Sequence, residues 1–285
     1  MKDKIDLQEW DEVIQPQRKF LDFRLKEIIT YRDLIFLFIK RDFVTFYKQT
    51  ILGPLWYIIQ PLINTLVFTI IFGNIAKIST EGVPPFLFYF AGNVIWGYFA
   101  LCITSTSSIF SSNADIFGKV YFPRITVPIS NVIIGLMQFA IQFVLFLSFL
   151  FYFYIKGLDI HLNYTLFFIP LLLLQVALLG LGFGMLLSAL TSKYRDLTFV
   201  MSFGVQLWMY ATPIVYPLSI VPEKYKLIFA LNPMTSIVES FRYIFYQESI
   251  IDFKIIIISL IITLLISFFG LLFFNKTEKN FLDTV

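Results

Sequence analysis

Six stretches of this chain carry no Asp, Glu, Lys or Arg: 49–76, 82–114, 125–155, 160–192, 197–222 and 255–275. A helix rising 1.5 Å per residue needs about 20 residues to cross roughly 30 Å of hydrocarbon, and each stretch meets that length. A charge at the bilayer centre costs about 2.5 to 3.5 kcal/mol, so runs of this kind predict six transmembrane helices in an all-α, polytopic membrane protein. Composition agrees: only 14% of the 285 residues are charged and 58% are hydrophobic. A soluble domain carries about 25% charged residues, so this chain has too little polar surface to cover a soluble globule.

A seventh charge-free interval, 227–238, is too short to span and is broken by Asn232-Pro233. An apolar segment of that length between two spans reads as a re-entrant hairpin, two half-helices entering from one side between helices 5 and 6. With both termini cytoplasmic, that side collects ten Lys and Arg before residue 55 together with Lys119, Arg124, Lys193, Arg195, Lys276 and Lys279; the other side has Lys77, Lys156, Lys224, Lys226, Arg242 and Lys254. The excess favours N-in and C-in, and it rests on the N-terminal segment, chiefly Lys40, Arg41 and Lys48 beside the first span. The first 27 residues are polar and of mixed charge, which reads as a cytoplasmic segment rather than a cleavable signal peptide.

The organisation expected is a cytoplasmic arm at 1–48 with an interface helix, a transmembrane domain at 49–275 and a cytoplasmic tail at 276–285. No internal repeat or low-complexity tract interrupts it. In the arm, Ile28, Tyr31, Ile35, Ile39, Phe43 and Phe46 recur every three or four residues among Glu27, Arg32, Asp33, Lys40, Arg41, Asp42 and Lys48. That spacing predicts an amphipathic helix on the membrane surface, with Leu34, Phe36, Leu37 and Phe38 widening its apolar stripe. A lipid anchor and a wedge between membrane and a cytoplasmic protein both suit it.

Chemistry is excluded more readily than it is found. One cysteine (Cys102) and one histidine (His161) remove Cys/His nucleophile pairs and most metal sites. Net charge of +3 is no nucleic-acid footprint. Gly118-Lys119 lacks the glycine spacing and following hydroxyl of a phosphate-binding loop. No ionisable group lies deep in the six stretches to couple transport to an ion. A chain that moves a solute without such groups must draw energy from another chain. Two short cytoplasmic loops, 111–124 and 191–196, are placed to receive it.

At this point the motifs combine. Tyr47-Lys48-Gln49-Thr50, Leu52-Gly53-Pro54-Leu55-Trp56, Gln60-Pro61, Lys119-Val120-Tyr121-Phe122-Pro123-Arg124, Tyr194-Arg195-Asp196, Ala211-Thr212-Pro213-Ile214-Val215-Tyr216-Pro217, and Leu231-Asn232-Pro233-Met234 with Glu239 and Arg242 occur in that order. The set resembles the permease subunit of ABC type-2 polysaccharide exporters over about residues 25–275. It is most similar to the O-antigen exporters of lipopolysaccharide biosynthesis, with capsule and teichoic-acid permeases more distant.

The resemblance implies a homodimer in the bacterial inner membrane, paired with two copies of a cytoplasmic ATP-binding subunit. ATP and magnesium would be used there, with no cofactor, metal or catalytic residue in this chain. A lipid-linked polysaccharide, on an undecaprenyl diphosphate in the O-antigen case, would cross at the dimer interface. It further implies an ATPase-coupling surface, to which we assign Glu27, Tyr31, Asp33, Asp115, Phe117, Lys119, Tyr121 and Arg124. The outer gate would lie at Asn232, Pro233, Glu239 and Arg242, the last two three residues apart on one helical face.

A sugar chain has polar rims and apolar faces, so a sliding path should offer aromatic faces and few charges. Trp56, Tyr57, Trp96, Tyr98, Phe99, Trp208, Tyr210 and Tyr216 are the candidates, with the first and fifth spans favoured by their polar neighbours Gln49, Gln60, Asn64, Gln206 and Thr212. Interfacial belts and core packing account for aromatics equally well. Lys48, Lys119 and Arg124 are the cations available to the pyrophosphate. The alternatives are an ABC-2 exporter of capsular polysaccharide, teichoic acid or a small molecule, a multispan polyprenyl-sugar glycosyltransferase and an ion-driven flippase. The scattered outer groups Glu81, Asp159, His161, Glu223, Glu239, Glu248 and Asp252 offer poor material for glycosyl transfer.

Overall fold

The computed structural model describes residues 25–48, 51–120, 122–158, 164–194, 196–247 and 253–281, without the side chains of 25–27, 46, 47 and 279–281. The described residues form helices and no strand: α1 (Leu25–Thr30), α2 (Arg32–Lys48), α3 (Trp56–Phe68), α4 (Pro85–Ser107), α5 (Ile109–Ser112), α6 (Ala114–Phe117), α7 (Thr126–Ile155), α8 (Ile169–Thr191), α9 (Leu197–Tyr210), α10 (Glu223–Leu231), α11 (Pro233–Tyr246) and α12 (Phe253–Phe281). With their short 3-10 and π extensions, five are long and apolar enough to cross a membrane: Gly53–Ile75, Pro85–Ser107, Thr126–Ile155, Tyr164–Thr191 and Phe253–Glu278.

The predicted fifth span is not among these five. Of the charge-free run 197–222 only α9 is a long helix, and its 14 residues rise about 21 Å, short of the hydrocarbon thickness. The chain leaves the helix at Ala211 because Pro213 has no N–H to donate and excludes the helical conformation for Thr212, while Pro217 repeats the block. The second stretch is also shorter as a helix than as a charge-free run. α4 stops at Ser107, where Thr104, Ser105, Ser107 and Ser108 turn their hydroxyls back onto carbonyls three or four residues earlier. Such bonds compete with a regular helix, and the chain proceeds through the two single-turn helices α5 and α6.

α4 is the axis of the bundle, with Leu87, Tyr89, Phe90, Ala91, Val94, Ile95, Phe99, Cys102 and Ile103 fully buried. Association in lipid gains little from hydrophobicity and depends on close packing, which small residues permit. Three glycines of α8 supply it. A Cβ on Gly180 would lie 2.6 Å from Cys102 Cβ and one on Gly184 2.5 Å from Thr106 Cβ, so this pair, four residues apart, seats α8 on α4. Gly182 faces the other way, where a Cβ would come within 2.7 Å of Ser267 Cα on α12. Ser267 Oγ donates to Leu178 O across the same seam at 2.9 Å. The slab α4–α8–α12 is therefore closely packed and side-chain bonded. α3 is built otherwise: Pro61 lies inside it and it continues as a π-helix over Thr69–Ile75.

Candidate functional site

Two clusters of predicted site residues lie at opposite ends of the bundle. At one end α2 meets the 109–124 segment through aromatic packing: Phe38 on Phe122 at 5.6 Å between centroids, Phe122 on Phe117 at 5.7 Å, and Phe117 on Phe110 at 6.0 Å. Phe110 stacks on Phe274 near the end of α12 at 5.1 Å. Arg124 is 5% exposed; its guanidinium lies 5.2 Å from the Phe117 ring centroid and donates to Glu278 O at 2.9 Å.

The two segments grouped in the sequence as a coupling surface are thus side by side. Their residues divide. Phe117 and Arg124 are buried and hold the cluster together, whereas Asp33, Asp115 and Lys119 are exposed on its surface and Tyr31 is partly buried at its rim. Tyr121 and the Glu27 side chain lie outside the described residues. α2 buries Ile35 and Phe38 and exposes Phe36 and Leu37. Of the three pyrophosphate candidates, Lys48 and Lys119 are exposed and Arg124 is engaged within the protein.

At the other end, α10 and α11 are separated by Asn232, and every residue of α11 but Tyr243 is buried. Asn232 occupies the N-cap position, with Pro233 at the first helical position that suits its fixed φ. Its Oδ1 accepts from Met234 N and Trp208 Nε1, each at 3.1 Å, while its Nδ2 donates to Thr212 Oγ1 at 2.9 Å and to Ala211 O at 3.4 Å. One side chain so joins α9, the turn after it and α11.

Arg242 makes the companion tie. Its Nη1 donates to Pro213 O and its Nη2 to Ile214 O, both at 2.6 Å, supplying donors to carbonyls of the non-helical 211–217 turn. Glu239 Oε1 lies 3.5 Å from Arg242 Nη1, and the Phe88 ring lies 3.6 Å below the guanidinium. Arg242 is 2% and Glu239 7% exposed. A charge at this depth persists only with such pairing. Gly92 leaves the room for it, since a Cβ there would sit 2.9 Å from Arg242 Nη2. Asn232 and Arg242 therefore both bond to the turn after α9, with Glu239 beside Arg242. α11 ends at Gln247, a left-handed residue, after Tyr246 Oη donates to Leu87 O at 3.1 Å.

Residues 33–246 match the ABC-2 type transporter family. The chain belongs to that family. It is therefore a multi-pass transport subunit, and ABC transporters of this kind work with an ATP-binding partner. It is 30% identical over 252 residues to the O-antigen export system permease protein RfbA of Klebsiella pneumoniae, covering 88% of this chain and 94% of that one. A protein of the same name from Myxococcus xanthus is 27% identical over 266 residues, 92% of this chain and 98% of that one.

In this ABC-2 subunit the aromatic candidates separate by burial. Trp96, Tyr98 and Phe99 are at most 5% exposed. Trp208, half-buried, sits among Phe183 at 4.8 Å, Phe99 at 5.1 Å and Trp96 at 6.3 Å, a packed wall that supports the Asn232 contact. Trp56 and Tyr210 are 43% and 44% exposed, and Tyr57 and Tyr216 are half-buried.

The exposed members belong to stripes. Trp56, Gln60 and Asn64 follow one another at four-residue intervals on α3, as do Ser202, Gln206 and Tyr210 on α9, and all six are exposed. Residues four apart share a helix face.

Sequence reasoning missed the α8 glycine seam and the buried node in which Gln175 Nε2 donates to Ser259 Oγ at 2.8 Å, which donates in turn to Pro233 O at 2.9 Å. The signals were present: glycines four residues apart in an apolar helix, and a lone amide in an apolar run.

Proposed function

We propose that this chain is the permease half of an ATP-driven exporter that moves a lipid-linked polysaccharide of the O-antigen type across the bacterial inner membrane. Two copies pair with each other and with two copies of a cytoplasmic ATP-binding subunit, N- and C-termini lie on the cytoplasmic side, and the glycan passes between the copies. α9 completes a sixth passage together with the 211–217 turn, and α10 and α11 form a re-entrant gate on the far side. α2 lies at the cytoplasmic membrane surface, where it and the 109–124 segment receive the ATPase. Lys48 and Lys119 are the cations left free to meet a pyrophosphate at that entrance.

The observation that carries this reading is the pair of exposed stripes. Amide and hydroxyl side chains in apolar spans are disfavoured against lipid and are accommodated where water or protein covers them. Here they share an exposed face with an aromatic ring, Trp56 on α3 and Tyr210 on α9. A face of amides and rings suits a sugar chain, since it offers hydrogen bonds to the rims and flat apolar surface to the C–H faces without a charge that would hold the cargo.

The test is accessibility. Gln60→Cys and Gln206→Cys, in the assembled complex, should label with a water-soluble maleimide and be protected by the lipid-linked glycan. Labelling that is absent at both positions, or unaffected by glycan, contradicts the path.

A further inference from the structure

α12 touches both candidate sites through specific side-chain contacts at each. Near its C-terminal end Phe274 stacks on Phe110, and Glu278 O accepts from Arg124, so the 110–124 segment grips its last turns at two points. Fifteen residues earlier, Ser259 Oγ donates to Pro233 O, the first residue after the Asn232 break. A carbonyl at the first position of a helix already has its partner four residues on. The Ser259 bond is therefore not needed to satisfy the backbone of α11; it fixes where α11 begins.

The stretch of α12 between these points holds no proline and spans about 22 Å of continuous helix. It is braced along that length. Gln175 Nε2 holds Ser259 at 2.8 Å, Ser267 donates to Leu178 O at 2.9 Å, and Gly182 receives the backbone of α12 at residue 267. A braced, continuous helix transmits an axial or tilting displacement instead of absorbing it, whereas α3, with Pro61 and its π-helical continuation, is the more compliant element.

We infer that α12 is the strut through which the state of the 109–124 segment reaches the Asn232 break, with Gln175 and Ser259 as the positioning residues at its far end. This rests on the reading of the 109–124 segment as the ATPase contact and of α10–α11 as a gate. Coupling of this kind is a two-ended energetic link, so removing the far tie should disconnect the gate without silencing the motor.

The experiment uses the assembled complex with Leu231→Cys as reporter, since Leu231 is 56% exposed and the only native cysteine, Cys102, is buried. Maleimide labelling is measured with and without a non-hydrolysable ATP analogue, alongside ATP hydrolysis and glycan export. In the reporter alone, nucleotide should change the labelling rate by about tenfold. Gln175→Leu combined with Ser259→Ala, which replaces both partners of the bond by apolar groups and so spares the fold, should abolish that dependence. Its ATP hydrolysis should stay within about twofold and its export should fall about tenfold. Ser259→Thr should restore the dependence.

A double variant that keeps the nucleotide dependence overturns the strut. So does a reporter whose labelling never responds to nucleotide. In that second case, ATP-dependent export by the same preparation shows that the exporter reading stands, and its absence shows that the exporter reading has failed as well.

Discussion

α3 and α4 are neighbours of nearly the same mean hydropathy, yet 72% of the most apolar stretch of α4 is buried against 17% of α3. Apolar character alone thus does not distinguish a helix that other helices surround from one whose face waits for lipid, water or a second copy. The polar residues do. Those of α4 are turned inward or back onto their own helix, as with Thr104, Ser105 and Ser107, whereas Gln60 and Asn64 of α3 point out of the subunit. α4 is built to stay still and α3 to meet something.

Substitutions sharpen that contrast. Arg242→Ala, which strips the donors from Pro213 O and Ile214 O and leaves Glu239 without its buried partner, should cost about 3 to 5 kcal/mol, read as loss of folded protein in detergent thermal unfolding. A small effect would mean that the turn after α9 does not depend on α11. Gly184→Leu should cost about 1 to 3 kcal/mol by forcing α8 off Thr106, seen as a lower unfolding midpoint and premature aggregation. Asn232→Ala, which removes an N-cap and three further bonds, should cost about 1 to 2 kcal/mol, with Asn232→Asp recovering the accepting half of the interaction.

The smallest stability effect, within about 0.5 kcal/mol, is expected for Trp56→Ala on the exposed face of α3. Phe99→Ala in the core should cost about 3 to 5 kcal/mol. Export rates should reverse the order: Trp56→Ala slows glycan transfer at unchanged stability, and a Trp56→Ala protein that is as destabilised as Phe99→Ala would break the comparison.

How much of this was legible beforehand follows from what each signal measures. Absence of charge locates helices that lipid or apolar neighbours surround, and it placed both ends of α7, the end of α8 and the start of α12 to within two residues. At 197–222 the long helix is shorter than the charge-free run, because what ends α9 is not a charge within the run but Pro213, whose carbonyl is held by Arg242 from far along the chain. The spacing of Glu239 and Arg242 suggested one face. Burial makes that pair a clamp on the turn after α9.

Among the aromatics, residue type gave no way to divide Trp96, Tyr98 and Phe99 from Trp56 and Tyr210, because a ring in the core and a ring at a surface look alike in sequence. The order of the motifs was enough to indicate the family, and neighbouring stripes such as 56, 60 and 64 become meaningful only once exposure is known. The Ser259 contact with Pro233 O joins distant positions and had no local signature beyond a hydroxyl in an apolar helix.

The most direct measurement reconstitutes the subunit in sealed vesicles, with and without its ATP-binding partner, and follows transfer of lipid-linked glycan across the bilayer. The account predicts transfer only when both chains and hydrolysable ATP are present, and no effect of collapsing the proton gradient and membrane potential. Transfer by this subunit alone, or transfer driven by an ion gradient without ATP, would contradict it.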